Sequence, residues 1–339
     1  MTDTDVLVVG GGPIGLACAV EARRAGWDVV VVEPRDTPID KACGEGLMPG
    51  ALRAVHHLGV DPEGHRLTGI SYRSGRRHVD HAFRDGPGRG VRRTALQAAL
   101  HARADALGVA WAAGRVTALE DVPGGVRAAG VSARWLLACD GLHSTVRRLC
   151  GLQRDRGPAG RRRFGLRRHF AVRPWTDLVE VHWSPTWEAY VTPVADDVVG
   201  VALLGPPCSD LDRAFHELPE LAMRLDGAPA GTVRGAGPLL QRTTARTRGR
   251  VRLVGDASGY VDALTGEGLR VGMAQARAAV DLLDNPAAYE RAWARVTRDY
   301  RLLTSGLVAW AASPARGAIV PVARRAPWLY GAVVDRLAR

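Results

Sequence analysis

The most constraining feature of the chain is its opening 33 residues, which read as strand, glycine turn, helix, strand and acid in register. Asp5-Val6-Leu7-Val8-Val9 is the short β-branched run expected of a strand buried on both faces. Gly10-Gly11-Gly12-Pro13-Ile14-Gly15 follows, then a helical stretch from Leu16 to Arg24 that Gly26 ends. A second strand from Asp28 to Val32 closes on Glu33. In the G-x-G-x-x-G turn, Gly10 permits the tight reversal, Gly12 lets the backbone approach a pyrophosphate, and Gly15 lets the helix pack closely on the strand. A pyrophosphate there meets the free amides and positive end of the helix. Glu33, 23 residues beyond Gly10, stands where a carboxylate accepts hydrogen bonds from ribose hydroxyls. Glycines alone fit any tight turn; the whole assembly predicts a dinucleotide-binding α/β fold.

The remaining organisation continues that pattern with one interruption. Residues 94–108 read as a helix carrying Leu96, Leu100 and Leu107, started by Thr94 and stopped by Gly108. Gly114 to Leu137 is β-rich and ends at Ala138-Cys139-Asp140-Gly141. Residues 66–84 predict a hairpin turning at Ser74-Gly75. Phe164–Val172, Leu178–Trp183, Glu188–Val194 and Val198–Leu204 read as an antiparallel meander. Arg250–Val254 then reads as a strand and Gly268–Leu283 as a helix. The expected layout is a nucleotide domain (1–65, 88–160 and 240–299), a sheet-rich second domain (66–87 and 161–239) and a C-terminal helical segment (300–339).

Composition narrows the setting. The chain of 339 residues is 46% hydrophobic and 24% charged, an ordinary globular composition long enough for about two domains. Its net charge of +11 is almost wholly arginine, since Lys41 is the only lysine. A basic balance admits an anionic ligand, nucleic acid or an acidic membrane face, and does not choose among them. The cysteines (Cys18, Cys43, Cys139, Cys150, Cys208) are scattered, with no C-x-x-C pair, which argues against a zinc site and a disulfide framework. The histidines show no metal spacing either, so no metal is expected. With an acidic N-terminus instead of a basic one, and no apolar run of about 18 residues, a cytoplasmic protein without a spanning helix is the expectation.

Three ordered motifs then carry a resemblance. Asp140-Gly141-Leu142-His143-Ser144-Thr145-Val146-Arg147 fits D-G-x-x-S-x-x-R, Val254-Gly255-Asp256-Ala257-Ser258-Gly259 fits a G-D motif, and Arg93-Thr94-Ala95-Leu96 fits R-x-x-L. With the glycine turn, they make the chain resemble the para-hydroxybenzoate hydroxylase-type family of FAD enzymes. That resemblance implies an α/β fold: a Rossmann-like FAD-binding domain with an inserted antiparallel-sheet substrate domain. It implies that Asp256 holds the ribityl chain and that Arg93 approaches the cofactor. It extends the cofactor site from Gly10, Gly12, Gly15 and Glu33 to Pro13, Ile14, Pro34, Arg35, Gly44, Glu45, Val116, Asp140, Gly141, Gly255, Gly266, Gly268 and Leu269. Asp40-Lys41-Ala42-Cys43-Gly44-Glu45-Gly46-Leu47-Met48-Pro49 and Asp262-Ala263-Leu264-Thr265-Gly266-Glu267-Gly268-Leu269 look like loops of the family's geranylgeranyl reductase-like branch. The helix opening at Gly268 points its positive end at whatever lies beyond, as reduced flavin requires.

The activity implied is oxidation of NADH or NADPH by FAD. Oxygen capture as a flavin C4a-hydroperoxide and hydroxylation or epoxidation of a small organic substrate of specialised metabolism would follow. Reduction of a carbon–carbon double bond is the alternative, and a non-catalytic flavin-binding protein the remote one. No second complete G-x-G-x-x-G is present, and the resemblance implies that nicotinamide binds transiently. The expected pocket walls are Cys43, Leu47, Met48, His182, Trp187, Tyr190, Thr192 and Pro193. Trp183-Ser184-Pro185-Thr186-Trp187 is not the W-x-W-x-I-P of flavin-dependent halogenases, and Ser258 is not in a G-x-S-x-G elbow. Arg161-Arg162-Arg163 and Arg167-Arg168 lack an accompanying nucleic-acid motif; a solvated strand face or an NAD(P)H phosphate patch is expected, and no nucleic-acid partner. The C-terminal turns mix Leu302, Leu303, Trp310, Trp328 and Leu329 with arginines; they could cover the pocket or rest on a membrane surface, and packing on the body is favoured. Oligomeric state is not legible in the sequence.

Overall fold

The computed structural model describes residues 2–154, 162–207, 211–225 and 229–339; Arg161 and Cys208 lie outside them. Two sheets organise the chain. Across the first, the strands are ordered Thr247–Arg248, Val251–Leu253, Val131–Ala138, Thr4–Val9, Val29–Glu33 and Ala110–Ala113, parallel from the second onward. The opening strand is central, with Val6 opposite Trp135 on one side and Val29 on the other. Alternation sends Val6 and Val8 into a core under the helices Pro13–Arg24, Arg93–Ala106 and Gly268–Asp281. Leu7 and Val9 enter a second core with Val32, Leu136 and Val146. Coverage of both faces is why this strand has no polar alternation. Each such side chain contributes about 1.5–3 kcal/mol by leaving water.

The second sheet has seven strands ordered Pro229–Ala236, Phe164–Phe170, Val198–Gly205, Glu188–Ala195, Leu178–Trp183, Gly69–Ser74 and Arg77–Ala82. It departs from a simple meander twice. Phe164–Phe170 pairs with Val198–Gly205 instead of its sequence neighbour, and Leu178–Trp183 runs parallel to Gly69–Ser74. A parallel neighbour requires a long crossover, and the return of the chain through the first sheet between these strands supplies it. One face is covered by the short helices Leu211–His216 and Pro219–Arg224, which pack Leu211 and Leu221 on Phe170, Trp187 and Val191. The other face carries Ile70, Val179 and Val181.

A small three-stranded sheet, Gly46–Leu47, Gly88–Gly90 and His65–Leu67, holds the 40–48 loop between the two large ones. The C-terminal segment is more regular than its sequence implies. Pro286–Ala311 is a continuous 26-residue helix running through residue 300, and Ile319–Arg325 and Pro327–Ala338 follow. Their inner residues Ile319, Val320, Tyr330 and Val334 share a core with Ile70, Phe83, Val179 and Val181 of the second sheet. Among the described residues, no helix is long and apolar enough to cross a membrane.

Candidate functional site

A cavity of about 620 Å³ extends from the first glycine turn, past the Lys41–Met48 loop, to the C-terminal helices. Gly12, Pro13 and Ile14 form one end of it, where Gly12 caps the helix Pro13–Arg24 and Pro13 occupies its first turn. The glycines differ in what they allow. Gly10 has φ +105°, and a Cβ on Gly15 would lie 1.8 Å from the Gly10 carbonyl oxygen, so helix and strand meet as bare backbone. A Cβ on Gly12 would find nothing nearer than Arg93 Nη2 at 3.7 Å, because Gly12 faces the open cavity.

Glu33 is buried beside this turn. Its Oε2 accepts the Gly11 N–H at 2.8 Å, and Arg35 grips both carboxylate oxygens at 2.6 and 2.9 Å. Burial pushes the carboxyl up, but hydrogen bonds from Arg35 and Gly11, with the Arg35 charge, outweigh it and hold the group below its ordinary range. Glu33, Pro34 and Arg35 stand behind the glycine turn and do not line the cavity. Pro34 is exposed, and Val116 is buried in the core with Leu7, Val9 and Val32.

The D-G-x-x-S-x-x-R segment explains itself locally. Asp140 Oδ2 accepts the Val146 N–H at 3.0 Å and Ser144 Oγ accepts that of Arg147 at 2.9 Å, together starting the short helix Thr145–Leu149. The fully buried Arg147 guanidinium donates to the carbonyls of Leu142, Asp256 and Ala257 and to Gln241 Oε1. Thus the motif arginine straps the 140–147 loop to the Gly255–Ser258 turn. Gln275 secures that turn from below, accepting from the Gly255 N–H and the Ser258 hydroxyl.

Asp140, Gly141, Gly255 and Asp256 line the cavity in consequence, opposite Lys41 and Arg93. Burial raises the Asp256 carboxyl above its usual range, against the pull of Lys41, Arg93 and Arg147. Lys41 faces the cavity, yet surrounding protein, then Arg35 and Arg93, push its ammonium below the usual lysine range. Among the described residues that line the cavity, Asp140 Oδ1 and Arg93 Nε are buried without a hydrogen-bond partner. Orphaned acceptors and donors around glycine-faced space fit a dinucleotide, whose hydroxyls and phosphates would satisfy them. The residues present therefore suit FAD.

The Cys43–Gly46 loop forms the next stretch of wall. Glu45, in the left-handed region at φ +59°, turns its carboxylate inward: Oε1 accepts the Arg93 N–H at 2.8 Å, and Oε2 lies 2.6 Å from His169 Nε2. Thr192 Oγ1 donates to the Gly44 carbonyl at 2.8 Å. The loop is thereby tied both to the helix Arg93–Ala106 and to the second sheet. Cys43 faces the cavity, and burial raises its thiol above the usual range, so it stays protonated. Gly266, Gly268 and Leu269 line the cavity at the start of the helix Gly268–Asp281.

Beyond the loop the walls become apolar. Of the eight residues expected there, Cys43, Met48, Tyr190 and Thr192 line the cavity and Leu47, His182, Trp187 and Pro193 do not. Strand alternation decides most of this. Val179 and Val181 face the cavity, which turns His182 to the opposite side, where it bonds Glu180 at 2.8 Å. Tyr190 and Thr192 face it likewise, while Trp187, Ala189 and Val191 pack under the covering helices. Leu47 points into the core of the first sheet. The C-terminal turns do cover the cavity, with Trp310 and Leu329 among its lining, but sequence reasoning did not name Tyr72, Leu307, Val322, Tyr330 or Val334. The signal was present in the helical spacing of apolar residues from Val322 to Leu337.

Within the arginine cluster, Arg162 is exposed to solvent, whereas Arg163 and Arg167 are turned inward. Arg163 pairs with Glu188 at 2.7 Å and Asp262 at 2.9 Å, Arg316 reaches Glu188 at 2.6 Å, and the buried Arg167 pairs with Asp40. Carboxylates distant in sequence, the buried Glu188 and Asp262 and the half-buried Asp40, draw Arg163 and Arg167 inward, which leaves these two unavailable as a phosphate patch.

Comparison with known proteins agrees with this geometry. Residues 3–192 match the family described as an FAD binding domain. The menaquinone reductase of Mycobacterium tuberculosis (strain ATCC 25618 / H37Rv) is 30% identical over 319 residues, covering 83% of this chain and 76% of that protein. The dialkyldecalin synthase of Streptomyces rugosporus is 29% identical over 321 residues, covering 87% and 67%. Among solved structures, a triple mutant of the flavin-dependent brominase Bmp2 superposes with a TM-score of 0.85 at 17% identity, over 99% of this chain and 94% of that one. That last likeness is one of fold. The motifs, the cradle they build and the match over more than half its length place the chain in the FAD binding domain family of FAD-dependent oxidoreductases.

Proposed function

We propose that the protein is an FAD-dependent monooxygenase that takes electrons from NAD(P)H and hydroxylates or epoxidises a predominantly apolar, electron-rich substrate. The observation that carries this reading is the character of the chamber beyond the Cys43–Gly46 loop. Its walls are aliphatic and aromatic, and beyond the Cys43 thiol at its polar end they carry the phenols of Tyr72, Tyr190, Tyr260 and Tyr330. Burial pushes all four phenols up, so they remain neutral. Such a chamber supplies exclusion of water and orientation rather than acid–base chemistry at the reacting carbon, which suits oxygen transfer to an electron-rich centre.

Bound FAD would supply the redox chemistry, accepting hydride and activating dioxygen. Gly12, Arg93 and Lys41 would hold its phosphates, Asp256 its ribityl hydroxyls, and the helix start at Gly268 would face its ring. Tyr190, whose hydroxyl donates to the Leu264 carbonyl, fixes the wall against the Ala263–Thr265 loop. Thr192 and Glu45 hold the Cys43–Gly46 loop in place from the other side.

A second reading, reduction of a carbon–carbon double bond, is favoured by the menaquinone reductase relative and by Cys43. Its protonated thiol at the polar end of the chamber can donate the proton that must accompany a hydride. Incubation with NADPH, isotopically labelled dioxygen and a panel of long-chain phenols and quinones separates the two. A product carrying one labelled oxygen supports monooxygenation; a product gaining two hydrogens and no label replaces it with the reductase reading. Asp256→Ala should lose FAD on desalting, and wild-type flavin content in that variant would overturn the cofactor assignment.

A further inference from the structure

The corner between the last two helices has properties that neither the FAD cradle nor the chamber requires. Val322 and Leu329 both line the cavity and both keep much of their surface exposed, 38% and 46%, which places an opening of the chamber at this corner. Ala326, also lining, joins the two helices there. Beside the opening, Trp328 is 75% exposed on the first turn of the last helix. Three large apolar side chains within eight residues, around the mouth of an apolar chamber, form a patch that calls for a partner.

Charge says which kind. From Ser313 to Val334 the chain contains no acid. Arg324 and Arg325 are exposed and take part in no ion pair among the described residues, whereas Arg316 is drawn into the buried Glu188 cluster and Arg336 pairs with Asp299 at 2.6 Å. The inner faces of the same helices are packed on the second sheet, so the corner is a fixed surface and not a loose tail. An exposed tryptophan flanked by unpaired arginines is suited to the boundary between acyl chains and anionic headgroups. A second copy of this chain, itself carrying +11, offers no comparable complement.

We propose that the Val322–Leu329 corner docks on an anionic phospholipid surface and that the chamber opens into it, so that apolar substrate enters from the bilayer. The proposal rests on the apolar-substrate reading above, but its test does not depend on turnover. FAD-loaded protein is sedimented with vesicles of phosphatidylcholine alone or mixed with phosphatidylglycerol, at low and high salt. Binding is expected with the anionic vesicles and should weaken with salt. Arg324→Glu combined with Arg325→Glu should lower the bound fraction about tenfold, and Trp328→Ala should lower it too. Flavin content and far-ultraviolet circular dichroism should stay at wild-type values. Arg76→Glu combined with Arg77→Glu, a charge swap of equal size on the exposed hairpin, should leave binding intact.

Equal loss in that control, or no binding to anionic vesicles, overturns the proposal. Light scattering that shows a dimer dissolved by Trp328→Ala overturns it in favour of contact between two copies. Vesicle binding without turnover of any apolar substrate would leave the docking surface standing and remove only the functional reading.

Discussion

His169 Nε2 stands 2.6 Å from Glu45 Oε2, and both side chains are sealed from solvent. This contact joins the second sheet to the loop that walls the cofactor end of the cavity. Glu45 also sits at φ +59°, where a non-glycine residue is strained. Glu45→Gly relieves that strain while deleting the carboxylate. The expected outcome is nevertheless a loss of about 3 kcal/mol in urea unfolding, because His169 and the Arg93 N–H lose their buried acceptor. A stabilised variant would show that the left-handed turn, and not the carboxylate, governs the loop.

Two glycines separate folding from cofactor contact. Gly15→Ala places a Cβ 1.8 Å from the Gly10 carbonyl oxygen, so helix and strand must part; loss of soluble folded protein or of several kcal/mol is expected. Gly44→Ala meets nothing within 4 Å. Its thermal midpoint without FAD should equal wild type, whereas FAD affinity should fall if Gly44 packs against the cofactor. Isothermal titration of the apoprotein reads the second effect directly.

Acid should act through Glu33. Its carboxyl is held below its ordinary 4.5 in the folded protein, so it contributes stability above that pH and loses it as pH falls through the lower folded value. Urea midpoints of wild type and Glu33→Gln should differ most near neutrality and converge under acid conditions below 4.5. A gap that widens on acidification would contradict the assignment.

The Arg163 cluster should behave as a buried ionic lock. Arg163→Met leaves Asp262 without its partner and Glu188 with Arg316 alone. A loss of about 3–5 kcal/mol is expected, read as a shift in the denaturant midpoint. A neutral result would mean that apolar packing replaces the pair.

The first sheet was legible because its signals are local: glycine spacing, β-branched runs and an acid at a strand tip all lie within a few dozen residues. Asp140, Asp256 and Gly268 were legible through motifs, and all three line one cavity. His182 and Trp187 misled because a strand advertises its residues but not which face turns inward. The parallel pairing of Leu178–Trp183 with Gly69–Ser74 spans over a hundred residues, and no local pattern encodes it. Arg163 and Arg167 looked like surface charge because their acids, Asp40, Glu188 and Asp262, are distant in sequence.

The order in which the cavity walls occur along the chain has a consequence for biosynthesis. Every residue assigned to the FAD cradle precedes the end of the helix Gly268–Asp281, whereas the chamber's outer wall comes from Leu307 to Leu337. During synthesis the cradle emerges first, at roughly 5–20 residues per second, and stands open for some seconds before its cover exists. The residues that would hold FAD are thus complete in the chain before the last helices, which add only the outer wall of the chamber.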